Sequence, residues 1–356
     1  MILVAYIGKA SANVSSITTS PSFKPKPNAQ VRCIALHIIK VFISYRARVV
    51  LQFLSRHSVL LKVFRIKSSY WYPGTDVYAK VAELVKPVIR DQDFVVVSEK
   101  PILIALGSIY DEKVIPLDSL TEFVTKVLSS LWLSFFRKFP SPVVEEALRN
   151  TSLKNLAKHK KLVLKYSSLL HFLKPVSEAG IDASNLPYHY VAIPMRGMSK
   201  VVEGIRRTLA ERLGVNVNVM VIDSDRMVVF KRCRGIAIAP RPTEYRYVID
   251  LGVLSYIMRF LLGGKVRLYP TIVAYAGKQY PLHLLLKIAK KADKAIMSGL
   301  GRTAIEMLRN LNKTSFDEVK WSDMNKAKHY PIAIVRILHS QHPATKISRH
   351  NTNRFL

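Results

Sequence analysis

The chain has 356 residues, 49% of them hydrophobic and 22% charged, and two cysteines, Cys33 and Cys233. That length supports one large or two ordinary globular domains, and the composition excludes wholesale disorder. Two thiols so far apart give neither a disulfide framework nor a paired-cysteine zinc site, so a reducing cytoplasm is the expected setting.

The formal charge of +31 suggests a nucleic-acid partner, but its distribution argues otherwise. The first 75 residues hold 11 Lys and Arg and no acid, and the residues after Asp323 hold six and no acid. Between these ends the net charge is +14, enough to attract phosphate-bearing ligands but too little to identify a nucleic-acid binder.

Residues 1–64 therefore read as a basic extension outside the core. Residues 1–30, rich in Ser, Pro and Asn, have the composition of disorder. Residues 31–64 are amphipathic, with Lys40, Arg46, Arg48, Arg56 and Lys62 breaking the apolar run, so neither a membrane span nor a signal peptide fits. A basic amphipathic stretch can rest on a membrane surface. The plainer expectation is an over-long gene start, with a true start near Val59 or Leu60. Residues 338–356 read as a disordered tail.

The core, 65–337, alternates helix and strand patterns. The aromatic cluster Tyr70-Trp71-Tyr72 can stack on a base or form a structured turn. Asp76 can cap a helix carrying Val77, Val81, Leu84, Val85 and Val88 on one face. Asp93 to Ser98 reads as a buried strand, and Pro101 to Ala105 as a second apolar stretch. A helix begins at Asp118 or Ser119. Its stripe of Leu120, Phe123, Val124, Val127, Leu128, Leu131 and Phe135 is expected in the core. Helical sequence continues from Val143 to about Leu173. Tyr190 to Ile193 reads as a strand. Ser199 to Leu213 reads as a helix stopped by Gly214. Val215 to Ile222 is the strongest strand and ends at Asp223. A helix follows Pro281, another begins near Ala304, and His329 to Arg336 is the last strand. The fold class is α/β to α+β, with mixed sheets flanked by helices, in a core of one unit or two subdomains.

Two acidic turns carry the chemistry. Asp182 lies between Gly180 and Pro187, and Asp223 with Ser224 follows an apolar strand, where α/β proteins place ligands. Carboxylate and hydroxyl oxygens suit Mg2+ or Mn2+, which bridge to nucleotide phosphates. Equally, Asp182 can form an Asx turn and Asp223 a helix cap. Gly299-Leu300-Gly301 can present N–H groups to phosphate or be an ordinary loop.

From about Phe64 to Arg336 the sequence resembles the archaeal family of γ-glutamyl ligases that extend coenzyme F420. The landmarks are Pro73-Gly74-Thr75-Asp76, Asp91-Gln92-Asp93 leading into Val95-Val96-Val97-Ser98-Glu99-Lys100, Gly180-Ile181-Asp182-Ala183-Ser184-Asn185, and Ile222-Asp223-Ser224 followed by Lys231-Arg232. The resemblance implies a ligase that uses GTP or ATP and a divalent metal. An acyl phosphate on a deazaflavin precursor would be attacked by the amine of L-glutamate. Asp182, Asp223 and Ser224 are implied as metal ligands. Glu99, Lys100 and Asn185 are implied as nucleotide contacts, with Gly299 and Gly301 in a loosely matching nucleotide loop. A homodimer in the cytoplasm is implied as well. Where the family carries Ser-Lys-Ala-Glu-Gly, this chain has Leu103-Ile104-Ala105-Leu106-Gly107, without the lysine. Two other functions fit the residues: a ligase-like relative with lost or altered chemistry that binds or regulates, and a basic nucleic-acid-binding protein.

Overall fold

The computed structural model describes residues 60–338 except 177, 232–234 and 302. Expectations for residues 1–59 and 339–356, and for Cys33, Cys233 and Arg232, lie outside the described residues. In chain order the strands are β1 (Leu60–Ile66), β2 (Phe94–Ser98), β3 (Ile109–Asp111), β4 (Tyr190–Ala192), β5 (Asn218–Phe230), β6 (Ala237–Ala239), β7 (Val248–Asp250), β8 (Val266–Ala276), β9 (Met297–Gly299), β10 (Lys328–Tyr330) and β11 (Ile332–Leu338). The helices are α1 (Val77–Val85), α2 (Glu99–Ala105), α3 (Ser119–Lys138), α4 (Pro142–Asn150), α5 (Leu153–Tyr166), α6 (Leu169–Phe172), α7 (Met198–Leu213), α8 (Val253–Leu261), α9 (Leu282–Ala295) and α10 (Ala304–Asn310).

Among the described residues a seven-stranded mixed sheet runs β1-β11-β2-β5-β6-β7, with β8 also paired to β5. β2 and β5 are parallel neighbours, whereas β11 is antiparallel to both β1 and β2. The strand pattern explains the layers. In β2, Val95 and Val97 point into a cluster shared with Val81 of α1 and Ile205 of α7. Phe94 and Val96 point the other way, toward Leu285, Ile288 and Ala289 of α9. Because side chains alternate along a strand, an unbroken apolar run must be covered on both faces. Helices α3–α6 and α8 build two smaller apolar clusters beside this sandwich.

Several local signals work as the sequence suggests. Asp76 caps α1 by accepting from the Tyr78 and Ala79 N–H groups. Gly214 ends α7 at φ 67°, in the left-handed region where glycine has no steric penalty.

Other elements differ. Residues Leu60–Phe64, grouped by sequence with the basic extension, form most of edge strand β1. The Pro101–Ala105 stretch is helical and follows β2 directly. The helical run after Val143 divides into three helices. The last strand breaks at Pro331 into β10 and β11. The largest correction concerns α3. Its contact face is Thr125, Trp132 and Phe136, while Leu120, Phe123, Val127 and Leu131 are 71%, 64%, 43% and 62% exposed. At 100° per residue the two sets lie on opposite sides of the helix, so these four members of the expected core stripe face outward, while Phe135 packs beside Trp132 and Phe136. Val124 and Leu128, at its margin, pack onto one of the smaller clusters.

Candidate active site

β5 does not stop at Asp223. It continues to Phe230, with register shifts against β8 between Val221 and Ile222 and again between Asp223 and Arg226. Pairing with β2 ends at Ser98 opposite Ile222. Asp223 therefore sits just beyond the carboxyl end of the parallel β2–β5 pair, where open α/β sheets hold ligands. Exposure alternates here: Asp223 and Asp225 are half-buried while Ser224 between them is exposed. Ser224, expected to act with Asp223, lies on the exposed side of the strand. Asp225, two residues on from Asp223, lies beside it.

The first residues after β2 form α2. Glu99 is buried and Lys100 partly so. Lys100 Nζ pairs with the Asp182 carboxylate and donates to the Ser184 hydroxyl at 2.6 Å and carbonyl at 3.1 Å. Asp182 also accepts from the Ser184 N–H at 2.7 Å, which is the Asx turn its sequence setting allowed. Its backbone is locked to Ala192 by reciprocal hydrogen bonds. Lys100 thus ties the end of β2 to the Gly180–Asn185 turn.

The Glu99 side chain is engaged within the protein. Its carboxylate faces inward to Arg241, which is fully buried. Arg241 Nη2 donates to Glu99 Oε1 at 2.7 Å. Nη1 donates to Glu99 Oε2 and lies 2.8 Å from Asp223 Oδ2. One guanidinium thereby serves two carboxylates. Burial raises the Glu99 pKa despite the Arg241 charge. Burial also pushes Asp223 up, but Arg241, the Asp225 N–H and Lys100 together outweigh it and hold this carboxyl below its ordinary value. Arg241 is raised because the two carboxylates overcome the cost of burying it. Gly180 makes room for this group: at φ 77°, a Cβ there would sit 2.5 Å from Arg241 Cζ.

Asp225 completes the cluster. Its Oδ2 is buried without a hydrogen-bond partner and lies 3.8 Å from the buried Lys174 Nζ. Burial, countered by Lys174 and reinforced by Asp223 and Asp182, pushes its pKa up to about 6. Three carboxylates from two chain segments, Asp182, Asp223 and Asp225, thus interact with Lys100, Lys174 and Arg241. These hard oxygen donors, one of them an unpaired buried oxygen, fit the chemistry of a divalent cation. Among the described residues no group of three or more acidic, His or Cys residues converges as a ligand set; Asp182 and Asp223 are paired with Lys100 and Arg241.

The remaining expected residues brace the turn. The Asn185 backbone is left-handed at φ 59°. Its Nδ2 donates to the Gly301 carbonyl at 2.9 Å, and its Oδ1 accepts from the Leu300 N–H at 2.9 Å. The Tyr70 hydroxyl donates to the Asn185 carbonyl at 2.7 Å. Asn185 therefore spends its side chain joining two loops. Gly299 pairs with Lys328 in the β9–β10 ribbon, and a Cβ on it would meet the Lys328 backbone at 2.4 Å. A Cβ on Gly301 would meet the Met307 nitrogen at 2.6 Å. Close packing explains both glycines. The Tyr70–Tyr72 cluster is likewise packed, with Trp71 buried and bonded to Ser68, which favours the structured turn over a base-stacking platform. The sequence patterns do not mark Arg241, Asp225 or Lys174 as site residues. Their one local signal is an arginine set between Pro240 and Pro242 directly after an apolar strand.

The protein is similar to an uncharacterized protein of Methanocaldococcus jannaschii, with 26% identity over 300 residues that cover 80% of this chain and 100% of that relative. The family model described as F420-0:gamma-glutamyl ligase matches residues 65–244, half of the chain and the span holding Glu99, Lys100, Lys174, Asp182, Asp223, Asp225 and Arg241. The chain accordingly belongs to the F420-0:gamma-glutamyl ligase family.

Proposed function

We propose that this protein is a nucleotide- and divalent-metal-dependent ligase that adds L-glutamate to the deazaflavin precursor of coenzyme F420. The observation that carries the reading is the cluster of Asp182, Asp223 and Asp225 with Lys100 at the carboxyl end of β2 and β5, inside the span matched by the family model. Mg2+ or Mn2+ would be held by these aspartates and would neutralise charge on GTP or ATP phosphates. Lys100, released from Asp182 by the cation, would be free to meet a phosphate oxygen. The fixed Arg241–Glu99 pair would keep Asp223 aimed while ligands exchange. The terminal carboxylate of the precursor would be activated as an acyl phosphate, and the glutamate amine would displace phosphate. A gamma-glutamyl ligase fold, a cytoplasmic setting and a homodimer belong to the same reading.

A second reading, a relative with altered chemistry, is favoured by one observation. Ile104 stands where the family carries a lysine, and it is buried in the main core with Pro101 to Ala105. The nucleotide must then be held without that group.

Melting of the full chain with Mn2+ and GTP or ATP, together and separately, tests the proposal. Nucleotide plus metal should raise Tm, and Asp223→Asn should abolish the rise. Equal stabilisation of wild type and variant, or none in either, would count against it.

A further inference from the structure

A cavity of about 370 Å³ is lined in part by Glu99 and by Arg241, the arginine that also pairs with Asp223. Its wall carries an acid–base chain that the cation cluster does not use. Ser167 Oγ and Ser168 Oγ each lie 2.7 Å from His171 Nδ1, and His171 Nε2 lies 2.9 Å from Asp250 Oδ1. The imidazole is buried, and Asp250 Oδ1 is fixed by the Gly252 N–H at 3.0 Å. An ionised Asp250 accepts from Nε2–H and so sets the tautomer that leaves Nδ1 as acceptor for a serine hydroxyl.

The arrangement goes beyond helix capping. Ser168 is the N-cap of α6, yet its hydroxyl makes no cap bond to the backbone and reaches the His171 ring instead. The chain also joins parts of the sequence 79 residues apart, α6 and the end of β7. The other charged and titratable groups lining the cavity are Tyr166 on α5, Arg196, Glu244, Glu99 and Arg241. Of these, Glu244 is tied up by the Gly197, Met198 and Ser199 N–H groups, and Arg241 by two carboxylates. Lys160, behind α6, donates to the Phe172 carbonyl. Among the described residues lining the cavity, His171 supplies an imidazole proton acceptor that a ligand can reach through a serine hydroxyl.

We propose that this cavity takes the amino group of the amino-acid substrate, with the Ser167/Ser168–His171–Asp250 chain removing its proton. The proposal rests on the ligase reading above and locates the nucleophile's side of that site. The ammonium group of the amino acid gives a proton through a serine hydroxyl to Nδ1, and Asp250 stabilises the imidazolium. The freed amine forms the C–N bond to the acyl phosphate carbon as the C–O bond to phosphate breaks. Phosphate leaves, and the surplus proton passes to solvent. The serine is the residue that touches substrate, and His171 and Asp250 act through it.

The test compares two nucleophiles on the full-length protein with nucleotide, Mn2+ and the deazaflavin precursor. L-Glutamate arrives as an ammonium, whereas hydroxylamine is largely unprotonated at neutral pH and reports acyl phosphate formation alone. His171→Gln should slow glutamate ligation by about 100-fold or more, the usual scale of acid–base assistance, and hydroxamate yield should fall far less. Ligation by this variant should also rise with pH as free amine accumulates, more steeply than in wild type. Asp250→Asn and the double variant Ser167→Ala, Ser168→Ala should show the same split. Equal loss of both products in all variants, or loss of neither, overturns the role of the chain while leaving the ligase reading intact. A wild-type protein that yields neither product overturns the ligase reading and this inference with it.

Discussion

Arg241 and Glu99 meet through two parallel hydrogen bonds in a place that neither can leave without stranding the other's charge. Removing one partner of such a buried pair costs about 3–5 kcal/mol, because the survivor loses its counter-charge in a desolvated setting. Arg241→Ala should sit at the upper end, since Glu99 and Asp223 both lose their cation. Chemical denaturation gives the value. A loss below 1 kcal/mol would mean that water reaches the site freely.

Gly180 is the floor of that pair. Gly180→Ala places a Cβ against the guanidinium and forces a left-handed backbone on a residue that resists it. The expected cost is about 1–3 kcal/mol, with metal and nucleotide binding weakened because Asp223 is aimed through Arg241. Thermal melting with and without ligands separates the two effects.

Asp225 makes stability depend on pH. Its folded value of about 6 lies above the roughly 3.9 of an unfolded chain. The folded protein therefore binds more protons than the unfolded one between these values, and this group's contribution to stability falls as pH rises through that window. Asp225→Asn should remove that part of the slope and stabilise the metal-free protein at pH 7 by at most a few kcal/mol. Denaturation in metal-free buffer at pH 4.5 and pH 7 provides the check. A variant that loses stability at pH 7 would contradict the assignment.

The outward face of α3 separates exposure from core packing. Leu120→Ser with Phe123→Ser should change stability by no more than about 0.5 kcal/mol, as surface substitutions do. Trp132→Ala, on the packed face, should cost about 3–5 kcal/mol. Similar losses for both would restore the inward stripe.

What was legible in the sequence was what is local. Val95 to Val97 and Val219 to Ile222 announce buried strands by uninterrupted apolar runs, and Asp76 and Gly214 mark helix ends by their own chemistry. The direction of α3 was not legible, because an apolar stripe shows amphipathicity and not which face meets the rest of the fold. At the site, Asp182 and Asp223 could be found from their turns. Their counter-ions could not, because Glu99–Arg241 spans 142 positions and His171–Asp250 spans 79. Such pairs leave no spacing to read. Asn185 and Gly301 stand out in sequence, and the structure joins them by packing one loop on another.

The central claim is the ligation itself. Full-length protein incubated with the deazaflavin precursor, L-glutamate, GTP or ATP and Mn2+ is to be assayed by mass spectrometry, with phosphate release followed in parallel. The expected result is a product heavier by one glutamyl residue, one phosphate released per product, and loss of both with Asp223→Asn. An unchanged precursor under conditions where nucleotide and metal bind would contradict it.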